Sequence, residues 1–206
     1  MKVLLVNGSA HKEGSTYTAL SAAAEGLNQD GIETEIFQLG NPQIRDCCGC
    51  GVCKTTGRCV FEDMVNVFID KTKDFDGFIF GTPVYFAHPS GRILSFMDRA
   101  FYAGKYAFEY KPAAAIASAR RSGTTASFDV LNKYFTISNM PVVSSFYWNN
   151  IHGNNAEQAK QDIEGLQTMK NLGHNMAWIL KCIELGRKDG IECPSFENRV
   201  YTNFIR

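Results

Sequence analysis

The sequence carries no surplus of charge of either sign and no long hydrophobic run. Its 206 residues include 21 Lys and Arg against 21 Asp and Glu, so the formal net charge is zero. Such a balance gives no bulk basic character of the kind that attracts nucleic acid or an anionic membrane. Asp, Gly and Pro interrupt the longest apolar stretches before they reach the length of a transmembrane helix. We therefore expect no nucleic acid and no membrane among the partners.

Internal repeats, low-complexity tracts and Gly/Ser-rich linkers are also absent from the sequence. The chain is thus predicted to form a single domain over residues 1–206, with an extended C-terminal tail at 190–206. The N-terminal residues 1–7 are too short for a signal peptide and have no small-residue cleavage site. A cytoplasmic location is the resulting expectation.

Cysteine is plentiful, but its number is odd. Seven cysteines in a chain without secretory features argue against a disulfide framework. Five of them lie between Cys47 and Cys59, in a predicted Cys-rich loop over residues 41–62. The other two, Cys182 and Cys193, are interpreted as ordinary thiols.

Apolar strands and amphipathic helices alternate along the chain. The predicted strands are Lys2–Asn7, Ile32–Leu39 (an edge strand), Gly77–Thr82, Ala113–Ala119 and Met140–Phe146. The predicted helices follow Ser15, Asp63, Ser90 and Gly123, and a last one covers 154–185 with Gly173 as a candidate break. This alternation predicts an α/β fold with a doubly wound parallel sheet. In such folds, ligands bind beyond the carboxyl ends of the strands.

The loop after the first strand has the composition of a phosphate-binding loop. Ser9, Ser15 and Thr16 supply hydroxyl groups, and the following helix adds the partial positive charge of its N-terminus. The loop lacks the Gly-Lys-Ser/Thr ending of a Walker A motif and the spacing of G-x-G-x-x-G. Its hydroxyl groups suit the phosphate of flavin mononucleotide. The alternative is an ordinary helix N-cap after a flexible turn.

Two further loops follow the third and fourth predicted strands. In the segment 81–91, Pro83 ends the strand and the aromatic residues after it could border a planar ring system. These aromatics could equally pack in the core. The segment 117–124 offers polar donors and two arginines, which either meet flavin oxygens or a nicotinamide phosphate or are solvated.

These three loops, together with Phe96-Met97-Asp98-Arg99, resemble those of the flavodoxin-like NAD(P)H-dependent FMN reductases over nearly the whole chain. The Cys-rich loop makes the chain most similar to the iron–sulfur flavoprotein branch. The resemblance implies a flavodoxin-like, doubly wound, five-stranded parallel sheet in the order 2-1-3-4-5 with an extended helical C-terminus. It also implies bound FMN and a homodimer or homotetramer.

The resemblance assigns cofactor-binding roles to residues in each of the three loops. The predicted FMN-binding residues are Ser9, His11, Ser15 and Thr16, then Pro83, Val84, Tyr85 and Phe86, and finally Ser118, Arg121 and Gly123. One departure is His11, which stands where the family pattern predicts arginine. This departure weakens the phosphate site or makes it dependent on pH.

The Cys-rich loop has the spacing C-x2-C-x2-C-x5-C if Cys47, Cys50, Cys53 and Cys59 are taken as ligands. Such spacing can wrap a cubane, and the resemblance implies a [4Fe–4S] cluster in the members that hold one. Cys48 is then the spare cysteine. A four-thiolate zinc site, a redox-active thiol pair and cysteines without a cofactor are the alternatives.

The leading functional hypothesis is an FMN-dependent oxidoreductase that accepts hydride from NAD(P)H and passes electrons to a quinone, flavin or other acceptor. The cofactor carries the chemistry, so no catalytic side chain is predicted. The alternative is an iron–sulfur flavoprotein module that receives electrons from a ferredoxin-like donor. A third hypothesis is a flavin-binding redox sensor. The partners are accordingly a small-molecule acceptor or a redox protein.

Aromatic residues outside the predicted sheet support the expected homo-oligomer. Such side chains are enriched at the cores of subunit interfaces. The residues concerned are Phe101, Tyr102, Tyr106, Phe108 and Tyr110, then Phe146, Tyr147 and Trp148, and in the tail Phe196, Tyr201 and Phe204.

Overall fold

The computed structural model describes residues 1–195 together with 197, 200 and 202. In this part of the chain the strands are β1 (Lys2–Asn7), β2 (Glu33–Gln38), β3 (Gly77–Tyr85), β4 (His88–Pro89), β5 (Ala113–Ala119) and β6 (Asn150–His152). The helices are α1 (Ser15–Gln29), α2 (Cys53–Thr56), α3 (Met64–Lys71), α4 (Gly91–Ala103), α5 (Lys105–Phe108), α6 (Thr124–Ile137), α7 (Ala156–Ala159) and α8 (Ile163–Lys188). A short 3₁₀ turn, Thr72–Asp74, follows α3.

The strands form one sheet in the order β2-β1-β3-β5-β6, and all the neighbours in this series are parallel. The two-residue β4 pairs antiparallel with the end of β3 and lies off this path. The prediction that Pro83 ends the third strand is wrong, because Pro83 pairs with Ser118 and β3 continues to Tyr85, where β4 pairs with it. The numbering therefore differs from the predicted order 2-1-3-4-5 only because β4 is inserted. The predicted fold class, a doubly wound parallel sheet, is confirmed, and β2 lies at its edge as expected.

Two hydrophobic cores cover the two faces of the sheet. On one face, Phe68 of α3 packs against Phe80 of β3 and Phe96 of α4 within a cluster of buried aromatic rings. On the other face, the small and branched residues of α1 and α8 pack against β1 and β5. The alanines of β5 are buried along the whole strand because both of its faces are covered.

The predicted fifth strand, Met140–Phe146, is wrong. In that segment only Val142 makes a single parallel bridge, to Ala113, while the fifth parallel strand is β6. Asn149 explains the displacement, because its side-chain Nδ2 donates to the Ala115 carbonyl at 3.0 Å and occupies an edge position of β5. The chain therefore joins the sheet only three residues before Gly153, at the carboxyl end of β5.

The predicted helix break at Gly173 is also wrong. Helix α8 runs without interruption through Gly173, and the helical region is divided instead before Asp162, whose carboxylate accepts from the Gly165 amide. A Cβ on Gly173 would lie 2.3 Å from the Ala23 carbonyl oxygen of α1. The glycine is required because α1 and α8 approach closely there.

The helical C-terminus is confirmed as far as Lys188, the last residue of α8. The predicted tail aromatics Phe196, Tyr201 and Phe204 lie outside the described residues. Among the helices that are described, none is both long enough and apolar enough to cross a membrane.

Candidate functional site

A cleft of about 610 Å³ opens at the carboxyl ends of the parallel strands. Its walls come from four segments, residues 9–16 after β1, 83–85 at the end of β3, 118–120 at the end of β5 and 153–157 after β6. The strand order reverses between β1 and β3, which is where doubly wound sheets bind ligands. The volume lies within the usual range for small-molecule sites.

Buried polar contacts fix the first loop in place. The Asn7 side chain donates to Gln38 Oε1 at 2.6 Å, and its Oδ1 accepts from the Ser9 amide at 3.1 Å. Gln38 in turn donates to the Ser9 carbonyl at 2.9 Å. The Ser9 hydroxyl accepts from the His11 amide at 3.1 Å, so its own hydrogen is available to the cleft. The loop is thus shaped before any ligand enters.

Helix α1 presents an N-terminus without a side-chain cap to this cleft. Gly14 occupies the N-cap position and provides no side chain to bond the first amides. Unsatisfied amides and the helix dipole favour an anion at such a position. Ser15 lies beside them, and its hydroxyl donates to the Gly153 carbonyl at 3.1 Å. A hydroxyl rotates freely about its C–O bond, so Ser15 can turn its hydrogen from Gly153 to a phosphate oxygen, and the site suits a phosphate group.

The predicted hydroxyls of Thr16 and Ser118 have a different environment from that of Ser15. They are almost fully buried and lie 2.7 Å apart, in a hydrogen bond between α1 and β5. Ser118 also lies 3.4 Å from the Thr82 carbonyl. These two hydroxyls form part of the cleft floor and join its walls.

The structure brings most of the predicted residues to one cleft. Its lining includes Ser9, His11, Ser15, Thr16, Pro83, Val84, Tyr85 and Ser118. Phe86, Arg121 and Gly123 are not part of that lining. Phe86 is fully exposed with φ +50°, and Gly123 packs its backbone against Ala87. Arg120 lines the cleft where the sequence predicted Arg121.

The sequence does not predict a role for the segment 153–157, because the predicted fifth strand lies too early in the chain. It begins directly after β6, where the rule that ligands lie beyond strand ends would have located it. The only local signal is the short run Asn150-Ile151-His152 before Gly153. Lys12 and Glu13 were missed as well, because charged loop residues have no distinctive spacing.

A second, smaller cavity of about 30 Å³ lies in the Cys-rich loop. All five cysteines of the loop line it, with Phe61, Arg99 and Tyr102 among the other residues around it. Cys48 and Cys50 are exposed, whereas Cys47, Cys53 and Cys59 are half-buried. The loop thus gathers its sulfur atoms around one space, with Cys48 among them.

Three glycines let the chain turn between these cysteines. Gly49, Gly51 and Gly57 adopt φ values of +66°, +75° and +67°, which side chains with a Cβ rarely adopt. Cys53 begins the short helix α2 between the last two of them. Partial burial is the largest cause that raises the pKa of Cys53, and the charges of the neighbouring cysteines add to it.

The chemistry of this donor set suits a thiolate-ligated metal centre, because soft cysteine sulfurs surround the cavity and share one loop. In the described part of the chain, however, no group of three or more His, Cys, Asp or Glu side chains is placed to hold a metal ion. Cluster binding would therefore require the exposed part of the loop to rearrange. Cys47, Cys50, Cys53 and Cys59 remain the residues with ligand spacing.

One end of the loop is firmly attached to the domain. The buried Asn66 of α3 accepts from the Cys59 amide at 2.8 Å and donates to the Cys59 carbonyl at 3.0 Å. Asp63, the predicted N-cap of α3, accepts from the Val65 amide at 3.0 Å as expected. Cys59 is therefore the fixed cysteine of the cavity.

Comparison with known proteins agrees with this geometry. Residues 1–155 match the family described as NADPH-dependent FMN reductase. An iron–sulfur flavoprotein from Methanocaldococcus jannaschii is 32% identical over 193 residues, which cover 89% of this chain and 100% of that protein. An iron–sulfur flavoprotein from Methanosarcina thermophila is 25% identical over 192 residues, with coverage of 91% and 99%. The solved structure of a flavodoxin from the domain Archaea aligns with a TM-score of 0.61 at 16% identity, covering 88% and 99% of the two chains.

The fold and the family match together define a flavodoxin-like, flavin-dependent oxidoreductase with FMN as its flavin. The chain belongs to the NADPH-dependent FMN reductase family and, within it, to the iron–sulfur flavoprotein branch.

Proposed function

We propose that the cleft holds FMN, which accepts hydride from NAD(P)H and passes electrons to a quinone, flavin or other small-molecule acceptor. The uncapped N-terminus of α1 beside Ser15 is the observation that carries this proposal. When bound, FMN supplies both the hydride acceptance and the electron delivery. The protein residues bind and orient the cofactor, and none of them needs to transfer a proton.

The first loop provides the phosphate end of the proposed site. The amides at the start of α1 and the Ser15 hydroxyl are the donors around the anion position, with the Ser9 hydroxyl nearby. Lys12 and Arg120 line the same cleft and supply positive charge. His11 is also part of the lining, in the place where the family pattern predicts arginine.

Residues 83–85 provide the proposed ring end of the site. Pro83 and Val84 border the cleft at the end of β3, where the backbone is fixed by pairing to β5 and β4. Tyr85 is about half exposed, at 52% of its surface. An open aromatic edge leaves room for a second planar substrate, such as a nicotinamide or a quinone, beside the flavin ring.

The experiment compares FMN with riboflavin, which lacks the phosphate. We expect FMN to bind the protein at about one per chain and at least about tenfold more tightly than riboflavin, since charge-assisted hydrogen bonds contribute about 1.5–3 kcal/mol each. Anaerobic addition of NADH or NADPH should then bleach the flavin absorbance. Equal affinity for both flavins, or no bleaching by either nucleotide, would contradict the corresponding part of the proposal.

The cysteine cavity favours a second candidate function, an electron-transfer module that receives electrons from a ferredoxin-like protein. Cys47, Cys50, Cys53 and Cys59 would hold a [4Fe–4S] cluster, which supplies one-electron transfer when bound. A side-by-side assay separates the two candidates. Faster flavin reduction by a reduced ferredoxin than by either nicotinamide favours the module, and the reverse favours the reductase.

A homodimer or homotetramer is also proposed. Tyr102, Tyr106, Phe146, Tyr147 and Trp148 are at least half exposed, and large exposed aromatics suit a subunit interface. Phe101 and Phe108 do not contribute to this surface, because both are buried in the core of the monomer. Light scattering that gave a monomer at micromolar concentration would contradict this part. A cytoplasmic location remains a prediction from the sequence.

A further inference from the structure

Arg99 lies beneath the Cys-rich loop and belongs to none of the roles described so far. It is the fourth residue of the Phe96-Met97-Asp98-Arg99 motif on α4, and only 1% of its surface is exposed. Its Nε donates to the Cys59 sulfur at 3.1 Å. The guanidinium is thus a buried cation in direct contact with one of the four cysteines that have ligand spacing.

All five N–H donors of this guanidinium have acceptors. Two of them form a bidentate pair with the Asp63 carboxylate, at 2.8 Å each. Two others donate to the backbone carbonyls of Arg45 and Phe61 at 3.3 Å. The fifth, on Nε, goes to the Cys59 sulfur. Because a guanidinium is rigid and planar, the other four bonds fix the direction of Nε–H toward that sulfur.

The guanidinium of Arg99 carries its positive charge, as arginine does throughout the usual pH range. Burial alone opposes its charged form, but the hydrogen bonds to Asp63 and Cys59 outweigh it and raise the pKa of Arg99. Four hydrogen bonds to Asp63 and to two backbone carbonyls hold this cation beside the sulfur. The sulfur therefore faces a permanent donor.

The other arginine of this region provides a contrast. Arg58 precedes Cys59 in the sequence, but its side chain is 41% exposed and pairs with Asp70 and Glu62. No hydrogen bond of Arg58 to a sulfur is present in the described structure. Two arginines thus lie next to the same cysteine, one bonded to its sulfur and one directed to the surface.

We propose that Arg99 is a positioning residue that holds the Cys59 sulfur and raises the reduction potential of the iron–sulfur cluster bound there. This inference rests on the second candidate function, in which the loop carries a cluster. Hydrogen bonds to the sulfurs and nearby positive charge are among the factors that set cluster potentials. Both stabilise the reduced cluster, which carries one more negative charge.

The decisive variant is Arg99→Lys, studied in the full chain after anaerobic reconstitution with iron and sulfide. Lysine keeps the charge and can still pair with Asp63, but it has no Nε–H directed at the sulfur. We expect a midpoint potential lower than in the wild type, measured by a titration followed by electron paramagnetic resonance. We also expect faster loss of iron to a chelator, since the sulfur is held less firmly.

Asp63→Asn is the matched variant, because asparagine can still cap α3 while the arginine loses its counter-charge. The positive charge near the sulfur is then less compensated, so the potential should rise or stay unchanged rather than fall. Arg58→Lys is the surface control and should alter neither the potential nor the iron loss. Melting temperatures of the apo-proteins report the structural damage separately.

The outcomes distinguish a failure of the cluster hypothesis from a failure of the role proposed for Arg99. If the wild type takes up no iron, the cluster hypothesis fails and this inference falls with it. If the wild type takes up iron but Arg99→Lys leaves the potential unchanged, the inference alone fails. A fall of the potential in both Arg99→Lys and Asp63→Asn, in step with their melting temperatures, would assign Arg99 a purely structural role and overturn the proposal.

Discussion

The flavin cleft and the cysteine cavity are built by different means. Each wall of the cleft is the end of a strand or the start of a helix, and side chains such as Asn7 and Gln38 hold its first loop. The cysteine cavity belongs to a loop that contains one regular element, the four-residue α2. That loop is attached at Cys59 and through the Arg45 carbonyl, while Cys48 and Cys50 lie exposed.

This difference indicates how each site acquires its ligand. The cleft is formed by the fold itself, so a ligand entering it orders few groups and little affinity is lost to ordering. The loop is bonded to the domain at Cys59 and at Arg45, but Cys48 and Cys50 between them are exposed, so the binding of a metal centre must order this middle part. Changes in the loop should therefore affect the flavin cleft little, and changes in the cleft should affect iron binding little.

The largest expected effect concerns the four spaced cysteines. A serine at any one of Cys47, Cys50, Cys53 or Cys59 should abolish or severely reduce cluster formation, since a cubane needs all four ligands. Iron should fall from about four per chain toward background after anaerobic reconstitution. Flavin content, measured by its absorbance after heat release, should not change.

Cys48→Ser is the control for these four variants. Cys48 lines the same cavity but stands outside the C-x2-C-x2-C-x5-C spacing, so iron content should stay at the wild-type value. An equal loss of iron in Cys48→Ser would show that the ligand set is different. A loss of flavin in any of the five variants would contradict the independence of the two sites.

The next effect concerns the attachment of the loop. Asn66→Ala removes the side chain that bonds both the amide and the carbonyl of Cys59. Buried backbone groups without partners cost about 1–3 kcal/mol, so the free energy of unfolding should fall by about that amount. Iron should also be lost faster to a chelator, whereas the affinity for FMN should remain within about twofold of the wild type. Chemical denaturation measures the free energy of unfolding, and flavin titration measures the affinity for FMN. A large loss of FMN affinity would contradict the independence of the two sites.

Within the cleft, a substitution at Ser15 should affect FMN affinity, whereas one at Thr16 should affect the stability of the fold. Ser15→Ala removes a hydroxyl at the α1 N-terminus and should weaken FMN binding by about 1.5–3 kcal/mol, which is about ten- to a hundredfold. Thr16→Val removes a buried hydroxyl bonded to Ser118, so it should lower the free energy of unfolding by about 1 kcal/mol. Flavin titration together with thermal denaturation distinguishes the two, and equal losses of FMN affinity would show that Thr16 also reaches the ligand.

The smallest effect concerns alkaline pH and the helix that contacts both sites. Ser90, at the start of α4, donates to the Gly8 carbonyl beside the cleft, and Arg99 lies near its end. Between them, Asp98 accepts from the Tyr134 hydroxyl at 2.5 Å. Burial, followed by Asp98, raises the pKa of Tyr134 well above its usual range.

The direction in which pH changes the stability follows from proton linkage. The folded chain keeps the Tyr134 proton at pH values where the unfolded chain loses it, so this stabilisation is complete below pH about 10 and declines above it. Tyr134→Phe should therefore show a shallower loss of stability from pH about 10 upward than the wild type. Denaturation midpoints across that range provide the measurement, and parallel curves for the two proteins would exclude the linkage.

Much of the fold could be predicted because local signals agreed with the tertiary structure. Strand β5 begins and ends as expected, since Pro112 precedes a run of small apolar residues. Asp63 and Ser90 cap α3 and α4 as their residue types indicated. Strand β6 could not be predicted, because it has only three residues and two of them are polar.

The same distinction between local and tertiary signals applies to the candidate site. The hydroxyl-rich loop before α1 was visible in the sequence because its residues are contiguous. The five contacts of Arg99 were not, because they arise only when residues 45–63 fold back onto α4. The loop residues Phe86 and Arg121 have the expected types but do not line the cleft, because the lining depends on backbone direction rather than composition.

The exposed middle of the Cys-rich loop, between its attachments at Arg45 and Cys59, has a consequence for how the protein responds to air. Under the proposed function, iron lost on exposure to air would leave the sheet, the helices and the flavin cleft intact. Damaged molecules would then have nearly the same size as undamaged ones and would differ mainly in colour. The cluster could then be rebuilt from iron and sulfide in the folded apo-protein, without a cycle of unfolding and refolding.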